Sequence, residues 1–173
     1  MKNTFGNSLA VTIFGESHGA AIGAVLDGLA SGIPVDEELI VRRLSQRRPS
    51  GEISTARREA DRFRIISGVY GGKTTGTPLC IEIENSDTRS ADYAKMETLA
   101  RPGHADYTAQ MRYRGYQDIR GGGHFSGRIT AAVVAVGAIV ERALADRGIA
   151  AATHILTLGG VGDRSFSSDP TAE

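Results

Sequence analysis

The sequence predicts an α+β fold in which one buried helix, at about residues 129–147, packs on an antiparallel or mixed sheet. Residues 129–147 are apolar on nearly every helical face over their first turns, which is typical of a buried central helix. In the first half, short apolar runs rich in β-branched residues alternate with polar connections, as strands do. The 173 residues contain no linker and no short repeat, so they predict one domain, incomplete at its C-terminal end.

The first half predicts two strands and a helix. Ala10–Phe14 and Ile22–Leu26 are apolar runs joined by the polar segment Gly15–Gly19. Asp36 is a candidate helix N-cap, because two glutamates follow it in the first turn and an apolar stripe comes after them. Pro49 ends that helix.

The second half predicts further strands and helices around glycine-rich connections. Arg64–Tyr70 and Leu79–Glu84 alternate like strands, and Ile155–Leu158 is a later strand. Ala91–Leu99 is a short helix candidate, and Ala105–Tyr113 is another. The polar stretch 165–173 predicts no closing element.

Charge is sorted along a chain whose net charge is zero. Of its 20 basic residues, 17 are Arg, and they concentrate in the blocks Arg42–Arg64 and Arg101–Arg128. Guanidinium groups bind phosphate and carboxylate as planar forks, so two such blocks suit a compact ligand with several anionic groups. A sequence pI near 6.9 argues against a nucleic-acid partner, although a polyanion-binding module without chemistry stays an alternative.

Several classes of protein are excluded by composition. A single Cys rules out a disulfide framework and a cysteine-based zinc site, and we predict no metal site. No apolar stretch approaches the ~18 residues of a membrane span, and the N-terminus lacks a signal-peptide pattern. We therefore expect a soluble, cytoplasmic protein.

Two glycine-rich segments could carry chemistry. Gly15–Gly19 matches the G-x-S-x-G elbow of serine hydrolases, with Ser17 as nucleophile, but a second strand follows it where an elbow needs a helix. Gly121–Arg128 precedes the central helix, whose unpaired N–H groups favour anions. The segment is equally consistent with a tight loop in which Ser126 only caps the helix.

Two of the four histidines are candidates for proton transfer. His18 and His104 each lie in a loop beside a glycine and near an acidic residue. An imidazole can donate a proton near neutral pH, which suits a reaction that expels an anion. Unrelated loop histidines remain the alternative.

Taken together, the segments resemble the chorismate synthase family over essentially the whole chain. Phe14–Gly19 reads Phe-Gly-Glu-Ser-His-Gly and leads into an apolar run ending at Asp27-Gly28. The other matching segments follow in order: Arg47–Pro49, Arg57–Glu59, Ser67–Val69, Thr74–Thr77, Ile83–Asn85, Arg101–Tyr107 and Arg120–Thr130.

This resemblance implies an activity and residue roles. The reaction would be a 1,4-elimination of phosphate from 5-enolpyruvylshikimate 3-phosphate, assisted by reduced FMN with no net redox change, in a carbon–oxygen lyase. His18 would protonate the reduced flavin and His104 the leaving phosphate. Arg47, Arg48 and Ser17 would bind substrate. The residues implied to contact FMN are His124, Phe125 and Ser126, with Arg47 also facing the NADPH that some members use to reduce flavin.

The resemblance also implies a β-α-β sandwich-like core and a homotetramer. Many members carry Arg where this chain has His124, so pairing with the flavin phosphate is expected to be weaker or pH-dependent here. The chain corresponds to the N-terminal half of a family member. We therefore expect that the 173 residues alone neither bind FMN tightly nor turn over.

Overall fold

The computed structural model describes residues 2–49, 59–86 and 99–165. Arg57, Arg58 and all but the last residue of the helix predicted at 91–99 lie outside these ranges. None of the described helices is long and apolar enough to cross a membrane.

An antiparallel sheet of five strands forms one layer. Its strands are β1 (Thr4–Phe5), β2 (Ala10–Gly15), β3 (Ala21–Asp27), β4 (Phe63–Ser67) and β7 (Leu79–Glu84). Their spatial order is β1-β2-β3-β7-β4, and every neighbouring pair is antiparallel. The register aligns Gly15 with Ile22 and Ile22 with Ile83, so the turn after β2 and the residues after β7 lie at the same end of the sheet.

The strand predicted at Arg64–Tyr70 is divided in two. β4 ends after an irregular register between Ile65 and Ser67, and β5 (Val69–Tyr70) pairs with β6 (Lys73–Thr74) in a separate hairpin. Gly68 separates them with a φ of +83°, and a Cβ there would meet the backbone of Leu79. A single extended strand cannot pass through such a residue.

Three α-helices are present in the described residues. α1 (Glu37–Gln46) begins as predicted at Asp36, whose carboxylate accepts a hydrogen bond from Leu39 N at 2.8 Å. α2 spans Asp106–Tyr113. α3 (Thr130–Ala145) is the predicted central helix, and a short 3₁₀ turn at Gly127–Ile129 precedes it.

The core lies between the helices and one face of the sheet. Leu39, Ile40 and Leu44 of α1 pack against α3, and α3 packs on β3 and β7. The sheet contributes Val11, Ile22, Ala24, Leu26, Leu79, Ile81 and Ile83. α3 buries one broad face rather than its whole surface, since Thr130 and Gly137 are exposed. The expected α+β class is confirmed, with one sheet layer and one helix layer among the described residues.

The last described strands form a small hairpin away from the core. β8 (Thr157–Leu158) pairs with β9 (Val161–Gly162), and all four residues are exposed. The strand predicted at Ile155–Leu158 is therefore shorter than expected. The loops that carry the candidate site lie instead at the sheet end defined by Gly15, Ala21 and Glu84.

Candidate active site

His18 lies on a tight turn between β2 and β3. The turn is closed by a hydrogen bond from Gly19 N to Glu16 O at 3.0 Å. Ser17 is fully buried and His18 is 8% exposed. A loop turn at a sheet end is normally solvated, so another segment must cover this one.

The covering segment is the glycine loop, residues 120–123. Ser17 N donates to Gly123 O at 3.1 Å, and Ser17 Oγ lies 3.2 Å from Arg120 O and 3.1 Å from Gly121 O. A Cβ on Gly121, whose φ is +60°, would collide with the His18 ring. Glycine is therefore required at 121 both for the left-handed backbone and for the close approach to the imidazole.

The Ser17 hydroxyl orients the His18 ring. Ser17 Oγ lies 3.0 Å from His18 Nδ1 and faces two backbone carbonyls, which can only accept. We assign the hydroxyl proton to a carbonyl, so that Oγ accepts from His18 Nδ1–H. Nε2 is then the nitrogen of His18 that can exchange a proton.

This arrangement does not support the serine-hydrolase alternative. A nucleophilic serine needs an exposed hydroxyl that gives its proton to a base. Ser17 is fully buried and its hydroxyl faces backbone carbonyls. The segment after the turn is strand β3, so the helix that the elbow requires is not there.

His124, Phe125 and Ser126 continue the glycine loop toward α3. His124 Nδ1 lies 2.8 Å from Gly15 O and donates to it, which joins this loop to the end of β2. Phe125 is 39% exposed and its ring lies 6.0 Å from the Tyr113 ring. Ser126 accepts a hydrogen bond from Arg128 N at 3.3 Å, so it caps the turn before α3 as predicted.

Arg47 and Arg48 belong to a guanidinium cluster around Asp61. Asp61 is buried with no exposed side-chain area, and it pairs with the buried Arg128. Its other oxygen lies 3.5 Å from Arg47 Nη1 and 3.4 Å from Arg48 Nε. Glu59 adds a second carboxylate 4.0 Å from Arg128 Nε. Three cations thus surround two anions at this point.

The cluster meets the 3₁₀ turn and the start of α3, which follow the glycine loop in the chain. Arg47 Nη2 lies 3.4 Å from Gly127 O and 3.4 Å from Thr130 Oγ1. Burial lowers the pKa of Arg47, and the neighbouring cations of Arg128 and Arg48 lower it further, against the opposing effect of Asp61. Burial and the two neighbouring cations thus disfavour the charged form of Arg47, and a bound anion would relieve that cost.

His104 lies on a separate loop that reaches the same glycines through Arg101. His104 is exposed, and its Nδ1 lies 3.2 Å from Pro102 O. Arg101 Nη2 would lie 3.7 Å from a Cβ on Gly122. The loop is braced by Asp106, which accepts from Arg101 Nε at 2.8 Å and Nη2 at 2.9 Å.

We expect Asp106 to contribute stability that disappears in acid. The side-chain hydrogen bonds from Arg101 lower the pKa of Asp106 to about 2. A carboxyl whose folded-state pKa is depressed stabilises the fold above its unfolded pKa of ~3.9, and this is lost as pH falls through about 2. We expect Asp106→Asn to lower the free energy of unfolding by about 1–2 kcal/mol at pH 7 and hardly at all at pH 2.

Urea unfolding at both pH values measures this difference. Asp146→Asn is the matched control, because Asp146 pairs with Arg142 on an exposed helix surface, with side-chain exposures of 39% and 43%. Exposed pairs contribute little. Equal destabilisation by Asp106→Asn at both pH values would contradict the assignment.

The structure links most predicted site residues by hydrogen bonds or close contacts. Ser17 and His18 contact the glycine loop, and His124 and Ser126 continue it toward α3. Arg47 reaches the turn that follows it. His104 is held within its own loop, which touches the glycine loop through Arg101. Sequence reasoning assigned no role to Asp61, Asn85 or Arg101. A signal for Asp61 was available, since it is an acidic residue inside an arginine block.

Comparisons with known proteins agree on one family. The family model described as chorismate synthase matches residues 9–172. Chorismate synthase of Aeropyrum pernix is 48% identical over 160 residues, covering 92% of this chain and 42% of the relative. That of Methanococcoides burtonii is 44% identical over 172 residues, covering 99% of this chain and 47% of the relative.

A solved structure supports the fold. The structure titled "Crystal Structure of Chorismate Synthase" has a TM-score of 0.57 and 30% identity, and the match covers 82% of this chain and 36% of that one. The chain spans less than half the length of these curated relatives.

Proposed function

The chain belongs to the chorismate synthase family, a family of lyases, and on that premise we propose that it forms the N-terminal part of an enzyme making chorismate. The substrate is 5-enolpyruvylshikimate 3-phosphate, and the reaction is the elimination of its phosphate with reduced FMN as cofactor. This places the enzyme at the last common step of the shikimate pathway.

One observation carries the proposal. The glycine loop and the turn that follows it contact a buried histidine at one end and a guanidinium cluster at the other. Gly123 O accepts from Ser17 N beside His18, and Gly127 O accepts from Arg47. A substrate with one phosphate and two carboxylates needs cations for binding, and its reduced cofactor needs a group that exchanges a proton. Arg47 and His18 supply candidates for both along this one segment.

The arginines act by binding and orientation. Arg47 and Arg48 approach Asp61 only at 3.4–3.5 Å, which is long for a charged hydrogen bond. Their guanidinium groups therefore keep hydrogen-bonding capacity for an incoming anion. Arg128 is buried with its Nη1, Nη2 and Nε on Asp61, Glu84 O and Asn85, so it fixes the position of Asp61 beneath them.

His18 and His104 are the proposed proton-transfer groups of the site. With Nδ1–H of His18 on Ser17 Oγ, Nε2 is the atom at which His18 would take up or release a proton. Asp118 interacts electrostatically with His18, and its pKa is lowered mainly by hydrogen bonds from Arg120. His104 is exposed, and in this proposal it donates its proton to the leaving phosphate as the C–O bond breaks.

The residues next to the glycine loop fit a planar, anionic cofactor. Phe125 is partly exposed beside Tyr113, and with Arg112, Thr108 and Ala109 they line a cavity of about 450 Å³. A Cβ on Gly127 would meet nothing within 4 Å, so the backbone there is open to a ligand. His124, Phe125 and Ser126 would hold reduced FMN, which when bound assists C–O cleavage without net oxidation. NADPH would serve as its reductant.

The wider assignments belong to the same proposal. We take residues 1–173 as a single family unit that lacks the family's C-terminal half, in a cytoplasmic homotetramer. The 173 residues alone are expected to be inactive, because the relatives supply more than half of their length beyond the match.

A chimaera tests the function. The chain is joined to the part of the Methanococcoides burtonii relative that lies beyond the matched 47%. We expect the chimaera to release phosphate from 5-enolpyruvylshikimate 3-phosphate when reduced FMN is present, and the 173-residue chain to release none. The intact relative is the positive control. A chimaera that unfolds cooperatively yet releases no phosphate would count against the proposal.

A further inference from the structure

Asn85 stands between the two halves of the site, directly after strand β7. Its Nδ2 donates to Glu16 O and to Gly19 O, both at 2.9 Å. Its Oδ1 accepts from Arg128 Nε at 3.1 Å. The two N–H donors and the oxygen of its amide are therefore all used, and the side chain is half-buried.

These bonds hold both ends of the turn that carries His18. Glu16 and Gly19 are the first and last residues of that turn, which Gly19 N closes on Glu16 O. A single amide group that donates to both carbonyls fixes the turn as a unit. Asn85 N also donates to Ala20 O at 3.1 Å, so the backbone just after β7 holds the next residue as well.

On its other side the same amide is fixed to the guanidinium cluster. Arg128 is 3% exposed and is held by Asp61 and by Glu84 O. Asp61 in turn faces Arg47 and Arg48. The Asn85 side chain thus completes a continuous series of hydrogen bonds from the His18 turn to the residues that face the anion site.

We propose that Asn85 is a positioning residue that sets the His18 turn relative to the guanidinium cluster. It acts through the backbone of Glu16 and Gly19 and through Arg128, which take up all of its side-chain hydrogen bonds. The expected effect of Asn85 on the reaction rests on the proposed function, whereas its effect on the conformation of the turn does not. Rotation of the turn would move the His18 ring relative to an anion held by Arg47.

Two substitutions separate the possible roles of the amide. Asn85→Asp keeps an acceptor for Arg128 but places a carboxylate oxygen against the carbonyls of Glu16 and Gly19. Asn85→Leu removes all three bonds without adding charge. If Asn85 only paired with Arg128, the Asp variant would behave like the wild type. If Asn85 positions the turn, both variants release it.

Amide hydrogen exchange and NMR of the 173-residue chain give the readout. We expect exchange at the Ser17 amide, bonded to Gly123 O, to accelerate by about tenfold or more in both variants, and the His18 ring nitrogens to shift. Exchange at Ile22 and Ile81 in the sheet is expected to stay unchanged. Asn7→Asp makes the same chemical change at an exposed residue and is the control. Wild-type exchange at Ser17 and unshifted His18 nitrogens in Asn85→Asp would overturn the proposal.

The chimaera adds a kinetic readout. We expect Asn85→Asp to lower kcat for phosphate release by about tenfold or more with KM changed less than about threefold, since Arg47 and Arg48 remain. A rise in KM with unchanged kcat would overturn the positioning role. If the unsubstituted chimaera unfolds cooperatively but is inactive, the proposed function fails, and the exchange experiment still decides the role of Asn85.

Discussion

Asp61→Ala is expected to lower the free energy of unfolding by about 3–5 kcal/mol, the range for removing one partner of a buried ion pair. The Asp61 side chain has no exposed area, and its partner Arg128 is only 3% exposed. Without the carboxylate, the guanidinium of Arg128 stays buried as a cation, and its Nη1 loses the charged group that it pairs with. Arg47 and Arg48 add like charge nearby.

Urea unfolding at pH 7 measures the loss. Asp27→Ala is a suitable control, because Asp27 is an exposed acidic residue at the end of β3. A double-mutant cycle with Arg128→Met isolates the pair, since the second substitution is expected to cost much less once Asp61 is gone. A loss below about 1 kcal/mol for Asp61→Ala would show that the carboxylate is not compensating a buried charge.

His104→Ala in the chimaera is expected to slow phosphate release by about a hundredfold or more, the lower end of the contribution of a general acid. His104 is exposed on the loop braced by Arg101 and Asp106, so removing its imidazole leaves the packing of the loop intact. The leaving phosphate then departs without a positioned proton donor. Single-turnover release of phosphate is the measurement.

His154→Ala is the matched histidine control. His154 is exposed near the β8–β9 hairpin, where its Nδ1 lies 3.5 Å from Asp163 Oδ2. We expect its loss to leave phosphate release unchanged. Equal rates for His104→Ala and the unsubstituted chimaera, with KM unaltered, would remove the general-acid role from His104.

The elements that the sequence predicted well are those whose signals are local. Strand β7 has the predicted bounds Leu79–Glu84. The alternation of residue types in this segment, which predicted the strand, matches the alternation of buried and half-buried side chains in the structure. The N-cap at Asp36 is equally local, since the carboxylate reaches an amide only three residues away. The helix over residues 130–145 follows from a long apolar run.

The structure differs from the sequence-based predictions where contacts between residues far apart in the chain determine the local structure. The division of the strand at Gly68 depends on its close approach to Leu79, and the partial burial of α3 depends on what packs on each side. The site shows the same limit. His18 and Ser126 were found from motifs, but the role of Asn85 depends on carbonyls 66 and 69 positions away. Its segment was matched to the family without any role being assigned to it.

The way the His18 turn is held has a consequence for the order of events during synthesis. Its contacts come from Asn85 and from the backbone of residues 120, 121 and 123, and His124 bonds Gly15 just before the turn at a separation of 109 positions. A nascent chain therefore cannot complete this end of the sheet until residue 124 has left the ribosome. The closure entropy of such distant contacts makes their formation slow, so the His18 turn is expected to become ordered after the strands that flank it.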